Sequence, residues 1–201
     1  MPPIPCPDHE AALADHRPVV GIDEVGRGPL AGPVVAAAAF LPAGHGIQGL
    51  RDSKALSEKK REALLPLILE RAHVALGAVS AREIDAFGIA PATNLAMRRA
   101  ADALTAPQDA VAIVDGNRPP ELSHLEVITE VKADGSCPSV AAASIVAKVI
   151  RDRAMKRLAL RYEAFGWASN KGYGSKAHRE AILAHGPTAH HRRSFLAKLL
   201  S

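Results

Sequence analysis

Residues Val140 to Ala147 read Val-Ala-Ala-Ala-Ser-Ile-Val-Ala, small and apolar nearly all round. They open the longest helical stretch in the chain, from about Ser139 to Phe165. A helix that is apolar on every side has no face to give to water, so it must be enclosed. Small side chains let it pack closely against a sheet. That requirement sets the architecture, and five short apolar runs bounded by turn residues supply the sheet: Val19–Asp23, Val34–Leu41, Ala72–Ser80, Ala110–Val114 and Leu125–Val131.

Helices fill the gaps between these runs. Ser57 precedes Glu58-Lys59-Lys60-Arg61-Glu62 and caps a helix to about Arg71. Ser80-Ala81-Arg82-Glu83 is a capping-box pattern that starts another, which Gly88 and Pro91 are expected to break before helix resumes over Ala92–Leu104. After a loop at Gly166–Ser175, Lys176–His185 reads as helix, and helix can resume after Arg193 in the tail. The class is α/β: a mixed five-stranded sheet flanked by helices, with a helical C-terminal extension. The first three strands are close in sequence and should form an antiparallel meander, with the later two added in parallel. A chain of 201 residues buries one ample core. Residues 1–18, rich in proline, read as a loose leader, and 19–201 as one domain with a basic helical region from about 148.

Charge is unevenly spread. From Lys148 to Ser201 there are 12 Lys or Arg against 3 Asp or Glu, whereas the preceding 147 residues hold 13 against 18. This suits a protein that holds cations on its body and a phosphate backbone on its C-terminal quarter. The run His190-His191-Arg192-Arg193 reads as a solvated or phosphate-facing tail. Cys6 and Cys137 form no CxxC pair and no disulfide framework, so a reducing cytoplasm is expected. The longest apolar run, Val34–Leu41, is far short of the roughly 20 residues a membrane helix needs.

Four acids, Asp23, Glu24, Asp115 and Asp134, each follow an apolar run and lie next to glycine or a glycine-rich turn. If the strand ends face one edge, the four converge. Like charges gathered this way raise one another's pKa and are relieved by divalent cations. Two Mg²⁺ ions about 4 Å apart can clamp an in-line displacement at phosphorus. Adjacent strand residues point to opposite faces, so Asp23 and Glu24 share a site only if the strand bends or ends between them. The turn Gly26-Arg27-Gly28 that follows allows close backbone approach and offers a guanidinium to phosphate. Of the seven aromatics, Tyr162, Phe165, Trp167 and Tyr173 cluster together. Phe165 and Trp167 read as packing residues, and Tyr173, between two glycines, as a surface that can stack on a sugar or base. Neither Gly26-Arg27-Gly28 nor Gly44-His45-Gly46 leads into the helix a dinucleotide site needs.

These blocks together resemble the ribonuclease HII family, the prokaryotic type 2 ribonucleases H. The resemblance runs from about Val19 to Phe195. It rests on Gly21-Ile22-Asp23-Glu24-Val25-Gly26-Arg27-Gly28-Pro29, Asp52-Ser53-Lys54, Glu83-Ile84-Asp85, Val114-Asp115-Gly116-Asn117 and Lys132-Ala133-Asp134. Ala141 to Asp152, Lys171-Gly172-Tyr173-Gly174 and His191-Arg192-Arg193-Ser194-Phe195 complete it. It implies an RNase H-like fold and a metal-dependent endoribonuclease. Such an enzyme cleaves the RNA strand of RNA–DNA hybrids and nicks duplex DNA 5′ to an embedded ribonucleotide, leaving 3′-hydroxyl and 5′-phosphate ends. It also implies that Asp23, Glu24, Asp115 and Asp134 hold two Mg²⁺ or Mn²⁺ ions. Gly26, Arg27 and Gly28 would read the 2′-hydroxyl, Tyr173 would stack on the following deoxyribose, and Lys54 would contact phosphate. The sister type 3 enzymes share the fold and acids but usually carry an extra N-terminal domain, for which the residues before Val19 are too few. A monomer is expected, and without a Q-x-x-ψ-x-x-F-F motif in the tail, sliding-clamp tethering is not.

Overall fold

The computed structural model describes residues 4–200. The elements run α1 (Pro7–Leu13), β1 (Val19–Val25), β2 (Val34–Phe40), α2 (Glu58–Arg71), β3 (His73–Val79), α3 (Ala81–Phe87) and α4 (Ile89–Ala103). They continue with β4 (Val111–Asp115), β5 (Glu126–Glu130), α5 (Ala133–Ser136), α6 (Pro138–Ala159), α7 (Trp167–Asn170), α8 (Lys176–His185) and α9 (Arg193–Leu200). The sheet order is β3-β2-β1-β4-β5. The pairs β1–β2 and β2–β3 are antiparallel, while β1–β4 and β4–β5 are parallel. This is the expected meander with two parallel strands added.

The sheet is covered on both faces. Val20, Ile22, Ala36 and Ala38 pack with Ala96 and Ala100 of α4. Val35, Ala37 and Ala39 pack with Ala141, Ile145 and Val146 of α6. Each fully buried Ile or Val contributes roughly 1.5–3 kcal/mol. The first half of α6 is buried without interruption from Pro138 to Ala147, as an all-apolar surface demands. It reaches β1 through one residue. A Cβ on Gly21 would lie 2.1 Å from the carbonyl carbon of Ser139 and 2.2 Å from the nitrogen of Val140.

Three expectations change. Of the presumed loose leader, residues 1–3 lie outside the described residues, but Pro7–Leu13 is helical and tied down. Glu10 Oε2 accepts from the Ser139 backbone N–H at 2.8 Å and from its hydroxyl at 2.7 Å, which serves an otherwise unpaired donor at the start of α6. Pro91 breaks nothing. It stands in the first turn of α4, where no N–H is required. The long helix ends at Ala159 rather than Phe165, and Gly166, at φ 62°, turns the chain into α7.

Candidate active site

Strand β1 outruns its parallel neighbour. Its pairing with β2 continues through Asp23–Ala37, Glu24–Ala36 and Val25–Val35, whereas its pairing with β4 stops at Ile22–Val114. The sheet therefore opens between these two strand ends. The strand neither bends nor ends between Asp23 and Glu24. Asp23 shares the α6 face with Ala37, and Glu24 shares the α4 face with Ala36. Asp115, the last residue of β4, lies in register on the face of Val111 and Ile113, beside α5 and α6. Asp134 is not at a strand end. It sits buried in the single turn of α5, whose first N–H, at Ala133, donates to Asp115 Oδ1 at 2.9 Å.

The four carboxylates feel one another across this opening. Burial pushes Asp23 well above the usual carboxylate range, with Glu24, Asp115 and Asp134 adding to the shift and the Ser144 hydroxyl opposing it. Burial also raises Glu24, against the pull of Arg27. Asp115 is raised by burial, against its bond from Ala133 and the charge of Lys54. Asp134 is pushed up to about 7 by burial, then by Asp115 and Asp52. Burial works to lower the Lys54 ammonium, but Asp134, Asp23, Asp52 and Asp115 outweigh it and hold it above its ordinary value. Burial is the leading cause for all four acids, and a bound cation would offset it. The donors are oxygen only, which fits a hard divalent cation such as Mg²⁺ or Mn²⁺. No three of the four bring ligating oxygens all within 4.8 Å of one another, so the set is open rather than a closed cage.

Lys54 is presented by a 3₁₀ turn, Ser53–Ala55, whose position is set from α6. Ser144 Oγ donates to Ser53 Oγ at 2.8 Å, Arg61 donates to the Ser53 carbonyl at 2.7 Å, and Lys54 N–H donates to Asp52 Oδ1 at 2.8 Å. Asp52, Ser53 and Ser144 were visible as parts of sequence blocks, but no periodicity assigns them these supporting roles.

Two buried arginines lie beneath the Gly26-Arg27-Gly28 turn and the segment that follows it, and Arg192 holds the turn itself. Arg192 donates to the carbonyls of Gly26 at 2.5 Å, Arg27 at 2.8 Å and Gly32 at 2.9 and 3.1 Å. Arg151 donates to those of Pro33 at 2.9 Å, Lys171 at 3.0 Å and Ala31 at 3.1 Å. Both are 0% exposed. Gly26 has φ 93°, and a Cβ there would lie 2.2 Å from Arg151 Nε. The reading of His190–Arg193 as a solvated or phosphate-facing tail is corrected for His191 and Arg192, which are buried. Arg192 turns inward because the turn's carbonyls need donors where water does not reach. Asp85 fixes the following helix: it accepts from the N–H groups of Arg193 at 2.9 Å and Ser194 at 3.0 Å.

Tyr173 stands at the turn's rim, 45% exposed, and a Cβ on Gly28 would meet its ring at 3.8 Å. Its backbone carbonyl is 2.8 Å from His178 Nδ1. Trp167 Nε1 donates to His178 Nε2 at 2.9 Å, and His191 Nε2 lies 3.1 Å from that same atom. Thr188 N–H donates to His191 Nδ1, so both rings are neutral, with Nδ1–H on His178 and Nε2–H on His191. Burial holds both histidines below their ordinary range, His191 at about 4. Phe165 and Trp167 are buried in this cluster, as the sequence suggested. On the α4 face, a cleft of about 700 Å³ runs past Glu24, Arg27, Asp115, Asn117, Asn94 and Arg98.

The family description Ribonuclease HII matches residues 20–198 of this chain. The chain belongs to the ribonuclease HII family. It is 53% identical over 178 residues to ribonuclease HII of Shewanella loihica, covering 87% of this chain and 85% of that one. The ribonuclease H2 structure from Pyrococcus horikoshii OT3 matches with a TM-score of 0.75 at 30% identity, covering 90% of this chain and 96% of that one. Bst-RNase HIII in complex with Mn²⁺ shares the fold at 24% identity, with a TM-score of 0.74 over 95% of this chain and 72% of that one. As a ribonuclease HII the chain is a metal-dependent hydrolase, a ribonuclease H that cleaves the RNA strand of RNA–DNA hybrids. Among the described residues, no helix is long and apolar enough to cross a membrane.

Proposed function

We propose that this ribonuclease HII also nicks duplex DNA 5′ to a single embedded ribonucleotide, leaving a 3′-hydroxyl and a 5′-phosphate, with two divalent ions held by Asp23, Glu24, Asp115 and Asp134. One observation carries the reading. The glycine turn that can approach a 2′-hydroxyl faces Tyr173 on one side, where a Cβ on Gly28 would meet the ring, while Arg27 Nη1 lies 3.4 Å from Glu24 Oε1 on the other. Recognition and the carboxylates therefore share one bend of the chain.

The residues divide the work. Gly28, exposed and with only the Tyr173 ring beside it, leaves room for a sugar edge, while Gly26 makes the turn possible above Arg151; the 2′-hydroxyl is the group that separates RNA from DNA at one site. Arg27, exposed and tethered loosely to Glu24, pairs with a phosphate or with the hydroxyl it flanks. Tyr173 offers its exposed ring to the next deoxyribose. Lys54, held in the field of the acids, reaches a substrate phosphate. The carboxylates hold the ions, and the Ala133 N–H steadies Asp115. When bound, the ions supply Lewis-acid stabilisation of charge at phosphorus and a lowered water pKa. The Mn²⁺ complex of the type HIII enzyme supports an ion of this kind.

The test is a Mg²⁺ and Mn²⁺ titration on a duplex carrying one ribonucleotide, with the cut mapped to the nucleotide. The expected product ends at the deoxynucleotide just 5′ of the ribonucleotide. A cut elsewhere, or activity confined to long hybrids, overturns the proposal.

A further inference from the structure

Between the N-terminal helix, the end of β5 and the start of α6 lies a cluster that the hydrolytic site does not use. We propose that His9, Glu130 and Cys137 form a second metal site, taking a borderline-soft divalent cation of the zinc class. Their ligand atoms (one imidazole nitrogen, one carboxylate oxygen, one sulfur) all lie within 4.8 Å of one another, the only such set among the described residues. His9 Nε2 is 3.0 Å from Glu130 Oε1, and Cys137 Sγ is 3.8 Å from Glu130 Oε2. Zinc bonds of about 2.0–2.3 Å in a tetrahedron place neighbouring ligand atoms about 3.3–3.8 Å apart, so small side-chain shifts admit the ion.

The donor set selects the metal. Sulfur and imidazole favour zinc over the magnesium that suits an all-oxygen site. Three protein ligands leave the fourth position for water, and His9, 45% exposed at its side chain, keeps a path to solvent. Binding forms the metal–sulfur bond as the Cys137 thiol gives its proton to solvent. A supporting bond is already present: Ser136 Oγ donates to Glu130 Oε1 at 2.5 Å and orients the carboxylate.

The three ligands come from three elements. His9 is on α1, Glu130 ends β5, and Cys137 caps α6. An ion here would clasp the N-terminal helix to both flanks of the α5 turn that carries Asp134. The site is separate from the four acids, so the proposal stands or falls independently of where the enzyme cuts.

The experiment uses the full chain, stripped with chelator and titrated with Co²⁺ in excess Mg²⁺, which occupies oxygen-only sites. One equivalent of Co²⁺ should produce a thiolate-to-metal charge-transfer band in the near ultraviolet, and Zn²⁺ should bleach it. Cys137→Ser should remove the band, and Cys6→Ala should leave it. His9→Ala, at an exposed position that does not threaten folding, should weaken Co²⁺ binding by at least the roughly 10–100-fold that loss of an outer-shell partner alone costs, while Mg²⁺-dependent cleavage is unchanged. No thiolate band at one equivalent, a band that depends on Cys6, or unaltered affinity in His9→Ala would overturn the site. The His9 variant decides the matter even if Cys137→Ser does not fold.

Discussion

Replacing Arg192 by lysine tests whether a residue sealed from solvent shapes the glycine turn. Its guanidinium serves three carbonyls, those of Gly26, Arg27 and Gly32, and is 0% exposed. An ammonium is a single donor point and cannot span the same fork. It satisfies one carbonyl, or at best two. Each buried acceptor left unpaired costs about 1–3 kcal/mol, so Arg192→Lys should lose about 3 kcal/mol. That is a large share of the 5–15 kcal/mol typical of a domain but leaves it folded. At about 2–4 °C per kcal/mol for a chain of this size, the melting temperature should fall by roughly 6–12 °C. A turn no longer held in place should also give up about 1.4 kcal/mol of transition-state positioning, a tenfold loss in kcat/KM. Cleavage of a single-ribonucleotide duplex is then compared with wild type well below both melting transitions. An unchanged melt with unchanged cleavage would refute the idea that the guanidinium supports the turn. A lower melt with unchanged cleavage would assign Arg192 to the fold alone.

Asp115→Asn should leave thermal unfolding almost unaltered and cut the rate on a single-ribonucleotide duplex by orders of magnitude; wild-type activity would remove Asp115 from the proposed metal set. Tyr173→Ala, at a half-exposed ring, should cost under about 1 kcal/mol of stability yet slow junction cleavage clearly, and equal losses of both would make Tyr173 a packing residue. Gly21→Ala should fail to fold, because its methyl would lie 2.1 Å from the α6 backbone; soluble protein with a native circular dichroism spectrum would contradict that contact. In metal-free protein, Asp134 binds its proton more tightly folded, at about 7, than unfolded, near 3.8. The folded state thus holds more protons between those values, and stability should fall as pH rises through that window. Urea midpoints should show this decline, Asp134→Asn should flatten it, and Mg²⁺ should restore the stability lost at the upper end.

The fold was legible where local chemistry and tertiary demand agree. Ser57, Ser80 and Ser175 cap the helices they precede, and the Ser80–Glu83 capping box is complete. The all-apolar start of α6 had one possible location. Legibility failed where a residue serves something distant in sequence. Glu10 caps a helix that begins 128 residues later, at Pro138, and Asp85 caps one that begins 108 residues later, at Arg193. No window of sequence carries either pairing.

By itself, the sequence determined the five strands, the longer helices and the layering, because periodicity, caps and turns are local, whereas the short helices α1, α5 and α7 escaped it. It also singled out the acids, each a carboxylate that follows an apolar run beside glycine or a glycine-rich turn. Only the tertiary structure decided how those acids face one another. Asp23 and Glu24 lie on opposite faces of an unbent strand, and their charges meet because β4 stops short beside them. Likewise, composition marked the C-terminal quarter as basic, but packing decided which cations meet solvent. Arg151 and Arg192 spend their charge on buried carbonyls, because the inward-facing carbonyls of the glycine turn and of the segment after it must find their donors inside the protein.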